Sequence, residues 1–391
     1  MLAQGAYLLQ GPGRLTVEKG SVEVLGYRID GEGQVIVPVG RSVPAKVEED
    51  AKASYTGKTV ELPNEAYQKW HDTIRGLGDL DSRILLIGPT DTGKSTLAAW
   101  IINKMIEEHG RDPLFATVDI GQNENFCPGF TSSVIVRDPP FIPGRGSVLH
   151  SNCFVGSFTP TNSLSRYIYC ARSMLEGWQG PLVMDSDGWV TMWDGIDSKI
   201  AIAEAVGFDK IILVGLGERE EMYLRVKLRG VEIIRLGSLV DSRKSREERR
   251  IHRERLIAKA LAGARERGFR VDSVPVYGGP IFIGQRVDPR LVGEMLGVHV
   301  YYAEKIGGEL RVVARVRGRR IQGAFLVRPG WERGLLSAVT GGDVVRPGIV
   351  TRVNYRTGTL YVYTPYEGEP EYIELGVARL DPEAFMGKAK W

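Results

Sequence analysis

A short glycine-rich segment, residues 88–96, carries the residue types that bind phosphate. Its sequence, GPTDTGKST, fits the pattern G-x-x-x-x-G-K-[ST] and lies between an apolar run and a helical pattern. In this setting backbone amides wrap a phosphate at a helix N-terminus, the lysine reaches the β- and γ-phosphates, and the next hydroxyl binds Mg²⁺. We therefore predict a nucleoside triphosphate site with Mg²⁺ on Ser95. The residues predicted to contact the nucleotide are Gly88, Pro89, Thr90, Asp91, Thr92, Gly93, Lys94, Ser95 and Thr96.

An acidic candidate follows one apolar strand later. Residues 114–118 form an apolar run that is followed directly by Asp119. In enzymes with such a phosphate loop, a Mg²⁺-linked carboxylate lies at the end of a neighbouring strand. Asp119 is therefore predicted to act on Mg²⁺, or to orient and deprotonate an attacking hydroxyl. The sequence does not decide between these two roles, and an aspartate that ends a strand is also a common cap or turn residue.

A strongly basic segment lies further along the chain. Residues 241–270 contain eleven Lys or Arg and five Asp or Glu, although the whole chain has a formal net charge of only +3. Such a block is typical of an anion-binding element. The alternative is a solvated helix in which Arg250 pairs with Glu247 and Glu254. That alternative explains the acids but not the excess of basic residues.

The pattern of strands divides the chain into three regions. Residues 1–75 contain short β-like runs separated by Gly, Pro and Asp turns. From residue 83 to about residue 268, apolar runs alternate with helical patterns, which indicates a parallel sheet covered on both faces. We predict an α/β fold with a P-loop NTPase core, residues 76–274. Small β-rich domains, residues 1–75 and 275–391, flank this core.

Four motifs, in this chain order, resemble those of the Clp/Grc family of polynucleotide 5′-hydroxyl kinases. DIGQ at residues 119–122 resembles the family's D-x-G-Q element, and TPTN at residues 159–162 resembles its T-P-x-x-N element with the asparagine one residue early. SDGW at residues 186–189 resembles the T-x-G-W clasp, with serine in place of threonine. KSREERR at residues 244–250 resembles the arginine-bearing lid.

The resemblance implies transfer of the γ-phosphate of ATP, or of GTP, to the 5′-hydroxyl end of RNA or DNA. It implies that Gln122 assists at Mg²⁺ or its water and that Trp189 stacks on the terminal base. In a lid at about residues 241–265, Arg249 or Arg250 is implied to stabilise charge on the transferred phosphoryl group. The residues assigned to the acceptor are Trp189, Gly188, Ser186 and Thr159.

Two other functions fit the same motifs. One is a non-catalytic ATP-binding subunit of an RNA-processing complex, and the other is a kinase for free nucleosides. The complete set of Lys94, Asp119, Trp189 and lid arginines favours the polynucleotide kinase acting on RNA, with RNA-processing proteins as further partners. The sequence leaves the choice of RNA or DNA and the oligomeric state open.

Composition and local patterns predict a cytoplasmic location. No stretch approaches the ~18 consecutive apolar residues of a membrane span. The N-terminus lacks the basic and apolar regions of a secretory signal. Cys127, Cys153 and Cys170 contain no CxxC pair, which predicts buried thiols in a reducing compartment. The five histidines are scattered and are predicted to be structural or surface residues.

Overall fold

The computed structural model describes residues 1–78, 81–110, 112–143, 146–239, 245–316 and 322–386, with only the backbone for His109 and Met192. Residues 241–244 of the predicted lid, including Lys244, lie outside these ranges. The chain forms two compact units. The first comprises Met1–Cys153 and Leu164–Glu254, and the second comprises Phe154–Ser163 and the chain from Arg255 onward.

The N-terminal part of the first unit consists of the strands β1 (Gly5–Gln10), β2 (Gly13–Lys19), β3 (Ser21–Val24), β4 (Tyr27–Asp30), β5 (Gly33–Val37), β6 (Ser42–Val47), β7 (Lys52–Tyr55) and β8 (Lys58–Glu61), and the helix α1 (Asn64–Arg75). The strands form two antiparallel sheets, in the orders β4-β3-β6-β1-β8 and β5-β2-β7. Alternation explains their faces, because β5 buries Val35 and Val37 and exposes Gln34 and Ile36.

The rest of the first unit contains β9 (Arg83–Ile87), α2 (Lys94–His109), β10 (Leu114–Thr117), β11 (Phe130–Val136), β12 (Ser147–Phe154), α3 (Leu164–Ser173), β13 (Leu182–Asp185), α4 (Met192–Val206), β14 (Lys210–Val214), α5 (Glu218–Lys227), β15 (Glu232–Leu236) and the start of α6 (Arg246–Ala260). The sheet order is β12-β11-β10-β13-β9-β14-β15. Strands β10, β13, β9, β14 and β15 are parallel, as their continuous apolar runs predicted. The sequence analysis did not identify β11, which pairs antiparallel with β10.

The N-terminal strands and the seven-stranded sheet share one hydrophobic core. Leu25, Tyr67 and Trp100 belong to the same buried cluster, and the Tyr67 and Trp100 rings lie 4.9 Å apart. Asn103 of α2 donates a hydrogen bond from Nδ2 to the carbonyl oxygen of Leu25 at 3.0 Å. Residues 1–75 are therefore part of the first compact unit. The three-domain division drawn from the sequence stays a prediction.

The second unit contains the strands β16 (Arg265–Arg270), β17 (Val276–Tyr277), β18 (Gln285–Arg286), β19 (Val300–Ile306), β20 (Glu309–Ala314), β21 (Ala324–Val327), β22 (Leu335–Gly341), β23 (Val344–Asn354), β24 (Thr359–Thr364) and β25 (Tyr372–Arg379), and the helices α7 (Pro289–Leu296) and α8 (Pro382–Met386). They form sheets in the orders β16-β24-β23-β22-β25-β17 and β18-β19-β20-β21. The predicted fold class, an α/β core with β-rich flanks, is confirmed.

The prediction of three reduced cysteines is wrong for two of them. Cys153 of β12 and Cys170 of α3 form a disulfide, because the fold brings their Cα atoms within 5.2 Å. This proximity depends on tertiary packing and leaves no local spacing signal. Cys127 is a buried free thiol, and burial raises its pKa. Among the helices in the described ranges, none is both long enough and apolar enough to span a membrane.

Candidate active site

The predicted phosphate loop joins the carboxyl end of β9 to the first turn of α2. A Cβ on Gly88 would lie 2.1 Å from the carbonyl oxygen of Val214 in β14, so no side chain fits there. Gly93 has a φ of 92°, a conformation that disfavours other residues, directly before the helix begins. Both glycines of the motif are thus required by the path of the backbone.

The loop borders a cavity of about 280 Å³ in the first unit. Loop residues from Thr90 to Thr96 line it, whereas Gly88 and Pro89 do not. The predicted site residues Asp119, Gln122 and Ser186 also line it. Further lining residues come from the N-terminal strands and their turns, from α1 and from the end of the sheet: Leu8, Gln10, Gly40, Arg41, Ser42, Val60, Trp70 and Leu239.

Lys94 is buried, and its ammonium folds back over the loop. Nζ donates a hydrogen bond to the carbonyl oxygen of Pro89 at 2.8 Å. Thr92 Oγ1 donates to the same oxygen at 2.9 Å. The lysine charge is therefore held within the turn of the loop, beside the backbone at the start of α2. The helix N-terminus adds its own preference for an anion there.

Asp185, the last residue of β13, is the carboxylate that contacts the loop directly. Ser95 Oγ donates a hydrogen bond to Asp185 Oδ2 at 2.5 Å. Burial raises the pKa of Asp185, Lys94 and the Ser95 hydrogen bond oppose this shift, and the charge of Asp187 adds to it. Sequence reasoning placed Asp185 beside the clasp without assigning it to the site. The sequence pattern could have identified it, because Asp185 is the last residue of an apolar strand, just as Asp119 follows an apolar strand.

Asp119 follows β10 and faces the same cavity. Its Oδ1 accepts hydrogen bonds from the backbone amides of Gly121 and Gln122, at 3.0 and 3.1 Å. Burial, and then the negative charges of Asp187 and Asp185, raise the pKa of Asp119 to about 6, against the opposing effect of Lys94. A carboxyl group that titrates near neutral pH is suited to accept a proton from a hydroxyl group.

These oxygen donors fit a Mg²⁺ ion. Asp185 Oδ1 is buried and has no hydrogen-bond partner in the part of the chain that the structure describes, which is costly unless a cation or water meets it. The Ser95 hydroxyl lies on the other oxygen of the same carboxylate. The described ranges contain no group of three His, Cys, Asp or Glu side chains arranged to hold a metal. Most ligands of Mg²⁺ here would therefore be waters and phosphate oxygens, as is usual for this ion.

The predicted clasp follows β13 and rests on a buried ion pair. The backbone amide of Trp189 donates to Asp187 Oδ1 at 2.7 Å. The other oxygen, Asp187 Oδ2, accepts hydrogen bonds from Lys199 Nζ and Tyr167 Oη. Lys199 is fully buried, and burial lowers its pKa despite the charge of Asp187. Sequence reasoning did not identify Lys199, which lies in the middle of helix α4.

The clasp loop closely approaches the phosphate loop. A Cβ on Gly188 would lie 2.4 Å from the backbone nitrogen of Thr90, so a glycine is required. Trp189 itself is half-buried and does not line the cavity. Thr159 belongs to the second unit, where it precedes the short turn Pro160–Asn162 and shares a hydrogen bond with Thr161 Oγ1. The role assigned to Thr159 stays a prediction.

Helix α6, which holds the predicted lid arginines, begins with reciprocal caps. Ser245 Oγ accepts from the Glu248 amide at 3.1 Å, and Glu248 Oε2 accepts from the Ser245 amide at 2.7 Å. Arg249 points to the phosphate loop, with Nη1 3.4 Å from both Thr90 Oγ1 and Asp91 Oδ2. The cap and this contact fix where α6 starts relative to the loop.

The structure separates the two predicted lid arginines. Arg250 is exposed and pairs with Glu247 and Glu254, at 2.6 and 3.0 Å, as the solvated-helix alternative predicted. Arg253 instead turns inward, and its Nε donates to the carbonyl oxygen of Gly121 at 3.2 Å. Burial lowers the pKa of Arg253, and the charge of Asp119 opposes that shift. The sequence predicts that Arg253 and Arg255 matter much less than Arg249 or Arg250, because they face other directions or lie a turn further along the helix. The structure instead puts Arg253 on the same face as Arg249, one helical turn away.

Residues 88–262 match a family model described as mRNA cleavage and polyadenylation factor CLP1 P-loop. The predicted family resemblance is confirmed. The chain is 24% identical over 315 residues to a polyribonucleotide 5′-hydroxyl-kinase of Pyrococcus abyssi, which covers 76% of this chain and 87% of the relative. It is 23% identical over 309 residues to polyribonucleotide 5′-hydroxyl-kinase Clp1 of Danio rerio, and this alignment covers 72% of this chain and 67% of the relative.

A solved structure shows the same fold. A chain of the wild-type Clp1p–Pcf11p complex aligns with a TM-score of 0.63 and 14% identity. The alignment covers 97% of this chain and 96% of that chain. The α/β core and its β-rich flanks are thus shared along nearly the whole length.

Proposed function

We propose that this protein phosphorylates the 5′-hydroxyl end of RNA, with ATP as the phosphate donor. The observation that carries the proposal is the meeting in one cavity of the phosphate loop, through Lys94 and Ser95, with the carboxylates Asp119 and Asp185. The Pyrococcus abyssi and Danio rerio relatives bear the name of this activity. Their similarity over most of the chain supports the same reaction here.

The loop and its neighbours bind and orient the donor. The loop amides and Lys94 hold the β- and γ-phosphates, and Ser95 with Asp185 provides the protein oxygens for Mg²⁺. When bound, Mg²⁺ neutralises charge on the phosphates. Gln122 lines the cavity with Asp119, and we assign it to a water of the metal. We assign the nucleotide base to the wall formed by the N-terminal strands. Whether this wall prefers the base of ATP or that of GTP is measured by comparing the two as phosphate donors.

Asp119 receives the proton of the acceptor. The 5′-oxygen forms a bond to the γ-phosphorus, the bond from that phosphorus to the β–γ bridging oxygen breaks, and ADP leaves. The hydroxyl proton passes to the carboxylate of Asp119, whose pKa of about 6 suits this transfer at neutral pH. Because Asp185 contacts Ser95 directly, we assign the Mg²⁺ to Asp185 and the acceptance of the proton to Asp119.

The acceptor lies on the clasp side, and the lid arginines lie on the donor side. Trp189 stacks on the terminal base, which tolerates any base because each presents a π-face. Gly188 and Ser186 keep the backbone of the clasp close to the phosphate loop. Arg249 and Arg253, rather than Arg250, stabilise charge on the transferred phosphoryl group.

The setting of the reaction is part of the same proposal. The solved Clp1p chains stand in complexes with Pcf11p, which supports RNA-processing proteins as partners of this chain. A cytoplasmic location and activity on DNA ends are further expectations from the sequence. Each is open to a direct assay of localisation or of acceptor choice.

The deciding experiment is transfer of labelled γ-phosphate from ATP to synthetic acceptors. A 5′-hydroxyl oligoribonucleotide should be labelled, the same strand with a 5′-phosphate should not, and a free nucleoside should be a poor acceptor. Lys94→Ala should abolish labelling while the melting temperature stays close to wild type. ATP binding without transfer to RNA, DNA or nucleoside would indicate a non-catalytic ATP-binding subunit instead.

A further inference from the structure

One carboxylate that lines the cavity joins an arginine and a histidine from distant parts of the chain. Glu124 Oε2 accepts a hydrogen bond from Arg41 Nη2. Glu124 Oε1 lies 2.9 Å from Nε2 of His252 in α6. The three side chains are about one-fifth exposed, at 17%, 19% and 21%. They link the N-terminal strands, the loop after Asp119 and the helix that carries Arg249.

Arg41 gives this cluster a fixed base. Its backbone is held on both sides, because its amide donates to the carbonyl oxygen of Pro38 at 3.2 Å and its carbonyl oxygen accepts from Gly11 at 2.8 Å. Among the described residues, Arg41 Nε is buried without a hydrogen-bond partner. Glu124 accepts the hydrogen bond of the guanidinium, and the charge of Arg41 also lowers the pKa of Asp185.

His252 lies on the face of α6 that carries the inward arginines. Arg249, His252 and Arg253 are related by three and four positions, the spacing that puts side chains on one face of a helix. Arg249 reaches Thr90 and Asp91, and Arg253 reaches Gly121. The contact from His252 to Glu124 lies between these two contacts along the helix. It therefore constrains both the rotation of α6 and its height above the phosphate loop.

The electrostatics favour an ionised Glu124. Burial raises the pKa of this carboxyl, but Arg41 and the hydrogen bond from His252 outweigh burial, so its pKa lies below the ordinary value. Loss of Glu124 would remove the hydrogen-bond acceptor of Arg41 and release His252 at the same time. Loss of Glu247 would only release an exposed ion pair on the opposite face of α6.

We propose that Glu124 is a positioning residue that holds α6 through His252, so that Arg249 and Arg253 face the transferred phosphoryl group. This inference rests on the proposed function, because it assigns the two arginines to that reaction. Glu124 lines the cavity, and the role assigned to it is to act through the arginines rather than on a reacting atom. A displacement of about 1 Å at such groups costs on the order of 10²-fold in rate.

Steady-state kinetics with Mg²⁺-ATP and a 5′-hydroxyl oligoribonucleotide test the proposal. Glu124→Ala should lower kcat on the order of 10²-fold. The KM for ATP should change less than kcat, because the phosphate loop is intact although Glu124 and Arg41 line the cavity. His252→Ala should have a similar effect, whereas His252→Gln keeps a donor near Nε2 and should recover most of the rate. Glu247→Gln, the matched control on the same helix, should stay within about twofold of wild type.

A double-mutant cycle separates positioning from a general loss of structure. In a background that carries both Arg249→Ala and Arg253→Ala, Glu124→Ala should lower kcat much less than it does in the wild-type background, because the arginines that it positions are already absent. If the losses multiply, Glu124 does not act through these arginines and the proposal is overturned. Since Glu124→Ala alone could impair folding, the recovery of the rate in His252→Gln tests the same contact without a change at Glu124.

Hydrogen exchange provides a readout that does not depend on turnover. The amides of α6 should exchange faster in Glu124→Ala and His252→Ala than in wild type. In Glu247→Gln their exchange should be the same as in wild type. Equal exchange in all four proteins would overturn the positioning role. If wild type transfers phosphate to no acceptor, the proposed function fails, but faster exchange would still show that Glu124 holds α6.

Discussion

Ser95 and Asp185 are joined by a hydrogen bond of 2.5 Å although 90 residues separate them in sequence. The contact exists because β13 lies beside β9 in the sheet, so that the carboxyl end of β13 reaches the loop that follows β9. Asp119 follows β10, which is one strand further away. The order of the strands thus brings Asp185, rather than Asp119, into contact with the Ser95 hydroxyl.

Asp185→Asn should weaken the binding of Mg²⁺ more than the binding of the nucleotide. An amide lacks the negative charge that a hard cation prefers, so half-saturation by Mg²⁺ should rise at least roughly tenfold, a loss typical even for residues one layer outside a metal site. The rate as a function of Mg²⁺ concentration at fixed ATP measures this. Asp119→Asn is the matched control and should leave the Mg²⁺ midpoint near wild type. Equal shifts in both variants would contradict the division of roles.

Asp119 should impose a pH limb on the reaction. Its pKa is raised to about 6, so the carboxylate that accepts the proton predominates above that pH and is lost below it. We expect kcat/KM to fall about tenfold per pH unit below 6 and to level off above it. Asp119→Asn should remove the limb and lower the rate roughly 10²–10⁴-fold. A wild-type profile that stays flat from pH 5 to pH 7 would argue against Asp119 as the proton acceptor.

The parts of the site that depend on spacing along the chain could be predicted from the sequence. The phosphate loop is contiguous, and its two glycines are required by a close approach to Val214 and by a left-handed turn. Asp119 was recognisable because it follows an apolar strand. Which acid adjoins Ser95 depends instead on strand order, and the sequence pattern does not determine the order β10-β13-β9.

Other parts arise only from tertiary packing. Glu124 meets Arg41 and His252 across 83 and 128 residues, and no local pattern relates them. The antiparallel strand β11 was missed because its central Thr131, Ser132 and Ser133 interrupt the apolar pattern, although all three are buried in the sheet. The ion pairs of Arg250 were predictable, since they depend only on spacing along one helix.

The lid arginines should separate according to the face of α6. Arg249→Ala and Arg253→Ala should each lower kcat, with a loss that approaches the ~10³-fold typical of arginine fingers for the one nearer the phosphoryl group. Arg250→Ala should stay within about threefold, because this exposed side chain pairs with Glu247 and Glu254 of its own helix. Saturating ATP and RNA isolate the effect on turnover. A loss in Arg250→Ala as large as in Arg249→Ala would show that α6 supplies only a diffuse positive field.

Trp189→Ala should weaken the binding of the acceptor oligonucleotide and leave the binding of ATP unchanged. The loss of one base–aromatic stack should cost about 1–3 kcal/mol in oligonucleotide binding. ATP affinity should change little, because Trp189 does not line the cavity that contains the phosphate loop. Titrations with oligonucleotides that differ only in the terminal base should show similar losses for all four bases. A loss confined to one base would indicate edge recognition instead of stacking.

Lys199→Met should destabilise the protein through Asp187. Lys199 is fully buried, and its partner carboxylate would remain as an uncompensated charge, a situation that typically costs about 3–5 kcal/mol. Denaturant unfolding should show this loss. The double variant Lys199→Met, Asp187→Asn should recover much of the stability, because it removes both charges. The asparagine oxygen can still accept from the Trp189 amide, so the double variant should also bind the oligonucleotide more tightly than Lys199→Met. A double variant as unstable as Lys199→Met would mean that packing of the lysine stem, not its charge, stabilises the clasp.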